Sequence, residues 1–119
     1  MKKQLLAIGL SLCAMSAASA ATETRFVSTE QLAKACGKSA SADSQSFCNG
    51  YAQGVYDMYV ASRHPTKNPP FLCFPKPGPT RASVIEGYVA WAGRNPQYAK
   101  TSAADSLMRY VGGVFPCKK

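Results

Sequence analysis

The stretch CNGYAQGVYD, residues 48–57, places two glycines where the interior of a helix should be. Around it Phe47, Cys48, Tyr51, Val55, Met58 and Tyr59 recur at three- and four-residue intervals, which marks one apolar helical face. A strand would alternate, and nothing here does. The spacing predicts a helix from about Ser44 to Arg63, capped by Ser41 or Asp43. Gly50 and Gly54 each cost such a helix about 1 kcal/mol relative to alanine. Small residues four apart let another backbone approach closely, so the line Gly50, Gly54, Asp57 is expected to mark a tight crossing whose packing offsets that loss.

Upstream, FVSTEQLAKACG (26–37) reads as a short helix. Ser28 is the N-cap, Gln31 completes a capping box, and Val27 packs on Leu32 as a hydrophobic staple. Gly37 falls where a left-handed C-terminal cap belongs, which puts Cys36 at the helix end. Downstream, HPTKNPPFLCFPKPGPT (64–80) holds six of the eight prolines and predicts an extended, turn-rich loop. Thr80 caps a third helix with Val84, Ile85, Tyr88, Val89 and Ala92 inward, Trp91 at its margin or in a partner contact, and Gly93 at its end. Asn95-Pro96 supplies a cap and first-turn proline for a fourth helix. Its apolar positions are Ala99, Ala103, Leu107, Tyr110, Val111 and Val114, with Gly112 and Gly113 fraying its end. The fold class that follows is all-α: a small four-helix bundle.

The first residues stand apart from this fold. Lys2 and Lys3 precede an apolar run, Leu5 to Met15, and Ala18-Ser19-Ala20 offers a signal-peptidase site. Residues 1–20 read as a signal peptide cleaved after Ala20, leaving residues 21–119 as one domain of 99 residues. Leu12 before Cys13 is a poor lipoprotein site, and the apolar run is too short for an anchor. No membrane span is expected. Removing Lys2 and Lys3 leaves 12 of the 14 basic residues against 6 acidic ones, a net +6. Such a surface suits an acidic partner or an anionic envelope polymer. An exported protein with scattered cations is not expected to bind nucleic acid.

Four cysteines remain in the exported chain: Cys36, Cys48, Cys73 and Cys117. An even count in a small exported domain predicts two disulfides, with three possible connectivities. Cys36 ends the first helix and Cys48 opens the second, while Cys73 precedes the third and Cys117 follows the fourth. Antiparallel neighbours would therefore favour Cys36–Cys48 and Cys73–Cys117. With no C-x-x-C and one histidine, no metal or cofactor site is expected. Nor is an enzyme, because His64 lies in the proline-rich loop and no activated nucleophile is apparent. Asp57 with Glu86 would be the only glycosidase-like dyad, and Asp57 is better read as a structural acid bonded to an arginine or a helix start.

Taken in order, CNGYAQGVYD, then FLCFP followed by Thr80 and a helix, then Asn95-Pro96 opening another, then a terminal FPC, resemble one known family. The set is similar to the Rap/Tai-type immunity proteins of bacterial type VI secretion, from STEQLAKAC (28–36) to FPC (115–117). The resemblance implies a periplasmic, helical, disulfide-bonded homodimer that binds and blocks a peptidoglycan amidase effector, protecting against a sister cell's toxin. It marks Cys48, Gly50, Tyr51, Gly54, Asp57, Cys73, Pro75, Phe115, Pro116 and Cys117 as scaffold positions. Aromatic and arginine side chains on protruding loops, Phe71 and Phe74 in one and Arg94 and Tyr98 in the other, are the candidate partner contacts. Trp91 and the outer face of the third helix are the candidate dimer surface. The alternative from another class is a periplasmic acid-stress chaperone of the HdeA type.

Overall fold

A computed structural model describes residues 25–63 and 69–118; the expected signal peptide with Cys13, and His64 and Pro65, lie outside the described residues. The chain forms four helices: α1 (Thr29–Ala35), α2 (Ala42–Ser62), α3 (Arg81–Arg94) and α4 (Ala103–Val114). A single 3-10 turn, Pro96–Tyr98, stands between the last two. Among the described residues there is no strand, only isolated bridges between Ser28 and Ser102 and between Leu72 and Pro116. The all-α expectation holds.

Helix α1 has seven residues, too few to persist alone. Two devices hold it. At its start the Ser28 hydroxyl accepts from the Gln31 N–H at 3.3 Å while the Gln31 Oε1 accepts from the Ser28 N–H at 2.9 Å, completing the capping box. The chain before α4 then stitches to the same end: Thr29 N–H donates to the Thr101 carbonyl, Glu30 N–H to the Ala99 carbonyl, and Ala103 N–H to the Val27 carbonyl. Seated this way, α1 packs against α2, α3 and α4 in turn.

The core is Leu32, Tyr59, Leu72, Tyr88, Ala103, Leu107 and Val111. One polar knot lies within it. Thr29 donates to the Ser106 hydroxyl at 2.7 Å, and Ser106 donates onward to the Ala103 carbonyl at 3.1 Å. With the Ser106 proton committed, the Tyr88 hydroxyl, 2.8 Å away, donates to Ser106 as well. Burial pushes the Tyr88 hydroxyl's pKa up, the bonds to Ser106 and Thr29 pulling it back. The knot joins α1, α3 and α4 through groups that would each be expensive to bury unpaired.

Both disulfides pair as the helix ends suggested. Cys36–Cys48 joins the C-terminal cap of α1 to α2, with Cα atoms 5.2 Å apart, and Cys73–Cys117 joins the segment before α3 to the end of the chain at 4.8 Å. In the chain-entropy account the shorter loop contributes about 3 kcal/mol and the longer about 4 kcal/mol. Residues 69–80 form a strap pinned at Leu72, which is buried and whose N–H reaches the Tyr59 hydroxyl, and at Cys73, whose N–H donates to the Phe115 carbonyl at 2.9 Å.

Several local expectations are corrected. Gly37 is not a left-handed cap: no described glycine has positive φ, and α1 closes with Gly37 N–H on the Lys34 carbonyl. Helix α2 starts at Ala42 under a Ser41 cap, earlier than Ser44. Thr80 caps α3 as expected, accepting from the Ser83 N–H, but α3 runs past Gly93 to Arg94. Asn95-Pro96 opens the 3-10 turn and not the fourth helix, so Ala99 lies outside α4, whose N-cap is Ser102. Ala99 and Thr101 lend their carbonyls to α1, and Ala103 N–H is taken by Val27, so a helix cannot run through them. At the other end α4 continues through Gly112 and Gly113 to Val114, which is half exposed.

The predicted crossing at Gly50 and Gly54 is absent: a Cβ at either position would meet nothing within 4 Å. Close approach occurs elsewhere. A Cβ on Gly87 would overlap the Tyr110 hydroxyl outright, and one on Gly112 would stand 3.2 Å from the Phe71 ring.

Candidate functional site

Three features, each involving residues of helix α4, carry the chemistry open to a partner or ligand. At the start of α4 the chain turns through Pro96–Tyr98 and presents Tyr98 against Trp91, their rings stacked at 5.3 Å and 18°. Trp91 also stacks on Tyr88 and tilts against Tyr110. It is therefore occupied within the fold, at the margin of the α3 stripe. The other face of Tyr98 is covered by the Arg109 guanidinium, 5.5 Å from the ring centroid. Asp105, one turn earlier on α4, fixes that guanidinium at 2.7 Å and pushes the pKa of Arg109 up, chiefly through this hydrogen bond and then through charge. Arg94 is exposed in the last turn of α3, where a cation suits the helix dipole. The result is a turn edged by two arginines.

The second surface is the groove between α2 and α4, whose walls include Tyr51, Gly54, Met58, Phe71 and Met108. Phe71 meets Tyr59 edge-on at 4.9 Å, lies over Gly112, and remains 50% exposed. Phe74 turns inward instead, between Tyr56 at 5.7 Å and Phe115 at 5.0 Å, and covers the end of the bundle. The four candidate contacts thus divide. Arg94 and Tyr98 belong to the turn, Phe71 to the groove, and Phe74 to the scaffold.

The third feature is an apolar cavity of about 130 Å³ among α2, α3, α4 and the strap, lined by residues including Val55, Leu72, Val84, Leu107 and Val111. At its rim Arg81 donates to the Gln53 Oε1 at 2.6 Å, and Gln53 donates to Asp57 at 2.9 Å. Asp57 therefore reaches Arg81, at the start of α3, through Gln53. Glu86 is engaged 3.3 Å from Lys38. The two acids have separate partners, and no dyad is assembled.

The other positions that the resemblance marked lie apart from the turn. Tyr51 is half-buried on α4; burial pushes its pKa up, against a hydrogen bond with the Ala104 backbone. Phe115 is half-buried under Phe74, Pro116 bridges to Leu72, and Pro75 is exposed on the strap. Sequence reasoning missed Arg109, Asp105 and Met108. The Asp105–Arg109 pair was legible in its four-residue spacing. That it would clamp Tyr98 was not.

Among the described residues no three His, Cys, Asp or Glu side chains come together in a metal-holding group, and no helix is long and apolar enough to cross a membrane. What the chain presents is a doubly bridged helical scaffold with an arginine-edged turn and an apolar groove. The sequence profile of the Rap1a immunity proteins matches residues 28–117, about three quarters of the chain, and the chain belongs to that family. Comparison with curated proteins and with solved structures gave no match.

Proposed function

We propose that this is a periplasmic immunity protein that binds and inhibits a peptidoglycan amidase delivered by type VI secretion, and that it acts as a homodimer. The family match over residues 28–117 carries the reading. Its physical support is stiffness. Steric inhibition requires no reaction, only a surface that stays ordered before it binds, because an ordered surface loses less entropy on association. Two disulfides and a stitched α1 provide that order, and persistent disulfides fit an oxidising compartment.

The turn from Arg94 to Tyr98, with Arg109 clamped beside it, is the proposed effector surface. It presents two cations beside a half-buried, oriented aromatic ring, side-chain types often found at interface hot spots. Its partner should present carboxylates. The acid-chaperone reading finds less support, since every carboxylate among the described residues is exposed and acid has little buried charge to neutralise.

The test is co-expression with a panel of periplasm-directed type VI amidases. Cells carrying the protein are expected to survive at least one amidase that lyses cells without it, and Arg94→Glu combined with Arg109→Glu is expected to remove that protection. Lysis throughout the panel would overturn the proposal.

A further inference from the structure

The apolar cavity among α2, α3, α4 and the strap is lined by none of the residues assigned to the effector turn. Its volume is about 130 Å³, and Leu72, Ile85, Leu107 and Val111 in its lining are buried. Tyr56 and Arg81 are its exposed lining residues, so the opening to solvent lies beside them. The polar side chains of the lining are Gln53, Tyr56 and Arg81, and the buried wall contributes none. A water held deep inside would lack the polar partners it needs, whereas an apolar group would not. An apolar cavity of about 150 Å³ takes a benzene-sized ligand, so this one suits a chain of about five or six carbons.

The walls are braced against collapse. On the strap, the Leu72 N–H is bonded to the Tyr59 hydroxyl, and Cys73 is bridged to Cys117. Phe74 is wedged between the rings of Tyr56 and Phe115. Across the mouth, Arg81 on α3 is tied to Gln53 on α2 at 2.6 Å. Lining atoms that cannot close on one another forgo dispersion contacts, which an inserted chain would restore.

Charge at the mouth selects the head group. Arg81 donates to Gln53 from one guanidinium nitrogen, and a guanidinium has further N–H donors in a planar fork that matches a carboxylate. Among the described residues no carboxylate pairs with Arg81. Asp57 stands one hydrogen bond behind, accepting from Gln53 at 2.9 Å. Its charge tolerates one added anionic charge at Arg81 better than two, which favours a carboxylate over a phosphate monoester.

We infer that this cavity binds a free aliphatic monocarboxylic acid, with a tail of about five or six carbons among Val84, Leu107 and Val111 and the carboxylate on Arg81. The inference stands apart from the immunity reading, because the Arg94–Tyr98 turn takes no part in it.

The test is a titration of the oxidised, exported protein at neutral pH, followed by methyl NMR and thermal melting. Hexanoate is expected to shift the Val84, Leu107 and Val111 methyls saturably, with a dissociation constant of about 1 mM or tighter, and to raise Tm. Acetate, which lacks the tail, should do neither. Arg81→Gln is expected to weaken hexanoate by about fivefold or more while leaving the affinity for hexan-1-ol unchanged. Ala52→Leu, which fills the cavity from α2, should abolish binding of both. N-acetylleucine should bind more weakly than hexanoate, because its amide would be buried without a partner. The inference is overturned by the absence of a saturable shift up to the solubility limit, by equal weakening of acid and alcohol in Arg81→Gln, or by tighter binding of N-acetylleucine. The contrast between acid and alcohol decides the matter even if Ala52→Leu fails to fold. None of these outcomes bears on protection of co-expressing cells, where the immunity reading stands or falls.

Discussion

Two pairs of glycines show how differently the inner and outer sides of this molecule are built. Gly87 and Gly112 each face a neighbour within the subunit, one the Tyr110 hydroxyl and the other the half-exposed Phe71 ring. Gly50 and Gly54 face outward onto nothing. The same residue therefore serves opposite ends. Inside, the missing side chain is the space a neighbour already occupies. On α2 the space beside the glycines stays open within the subunit.

The sharpest way to break the inner side is to open its outermost bridge. Replacing Cys73 and Cys117 together by serine is expected to remove about 4 kcal/mol in denaturant unfolding, against about 3 kcal/mol for the Cys36–Cys48 pair. Equal losses would show that loop length does not govern the bracing. Next in size is the contrast in sign between the glycines. Gly87→Ala should destabilise by about 1–3 kcal/mol, because the added methyl displaces Tyr110 from its cluster with Tyr88 and Trp91. Gly54→Ala should instead stabilise the isolated subunit by up to about 1 kcal/mol, since it improves the helix and meets nothing. If both lose stability, the α2 face is not open in solution.

The smallest effect is an alkaline pH dependence centred on the core. Tyr88 has its pKa raised above the ordinary 10.0, mainly by burial. Between the unfolded and folded values the native state holds a proton that the unfolded chain has lost, so stability falls as pH rises through that window. The contribution is whole below about pH 10 and disappears above the folded value. Thermal melts should show this alkaline decline, and Tyr88→Phe should reduce it to the part contributed by Tyr51, whose pKa burial also raises. Acid is expected to do less: the described carboxylates are exposed, their ion pairs are individually weak, and the near-UV spectrum should persist at about pH 3. A cooperative opening there would revive the acid-chaperone reading.

Much of the fold was legible where a local rule sufficed. Ser28 with Gln31, and Thr80 before α3, set helix starts through hydrogen bonds spanning three residues. Cysteines at helix ends made the disulfide pairing a matter of which ends meet. Legibility failed where a distant group competed. Asn95-Pro96 carries the signature of a helix start, but the carbonyls that a helix would have used are claimed by α1, some seventy residues earlier in the chain. The glycine rows failed for a related reason. Helical spacing shows that Gly50 and Gly54 share a face but not whether that face looks in or out, and only Tyr110 reveals what Gly87 is for. The candidate site was half legible: Tyr98 and Arg94 stood out by residue type, whereas the clamp from Arg109 depended on how α4 lies beside the turn.

The Cys73–Cys117 bridge has a mechanical corollary. It closes a covalent ring that contains α3, the 3-10 turn and α4, while the Cys36–Cys48 bridge closes a smaller ring ahead of it. A quality-control protease that feeds substrates through a narrow pore as a single thread would meet, from either terminus, a closed loop of fixed girth. Such a loop would have to pass as a doubled strand unless a reductant opened the bridge first.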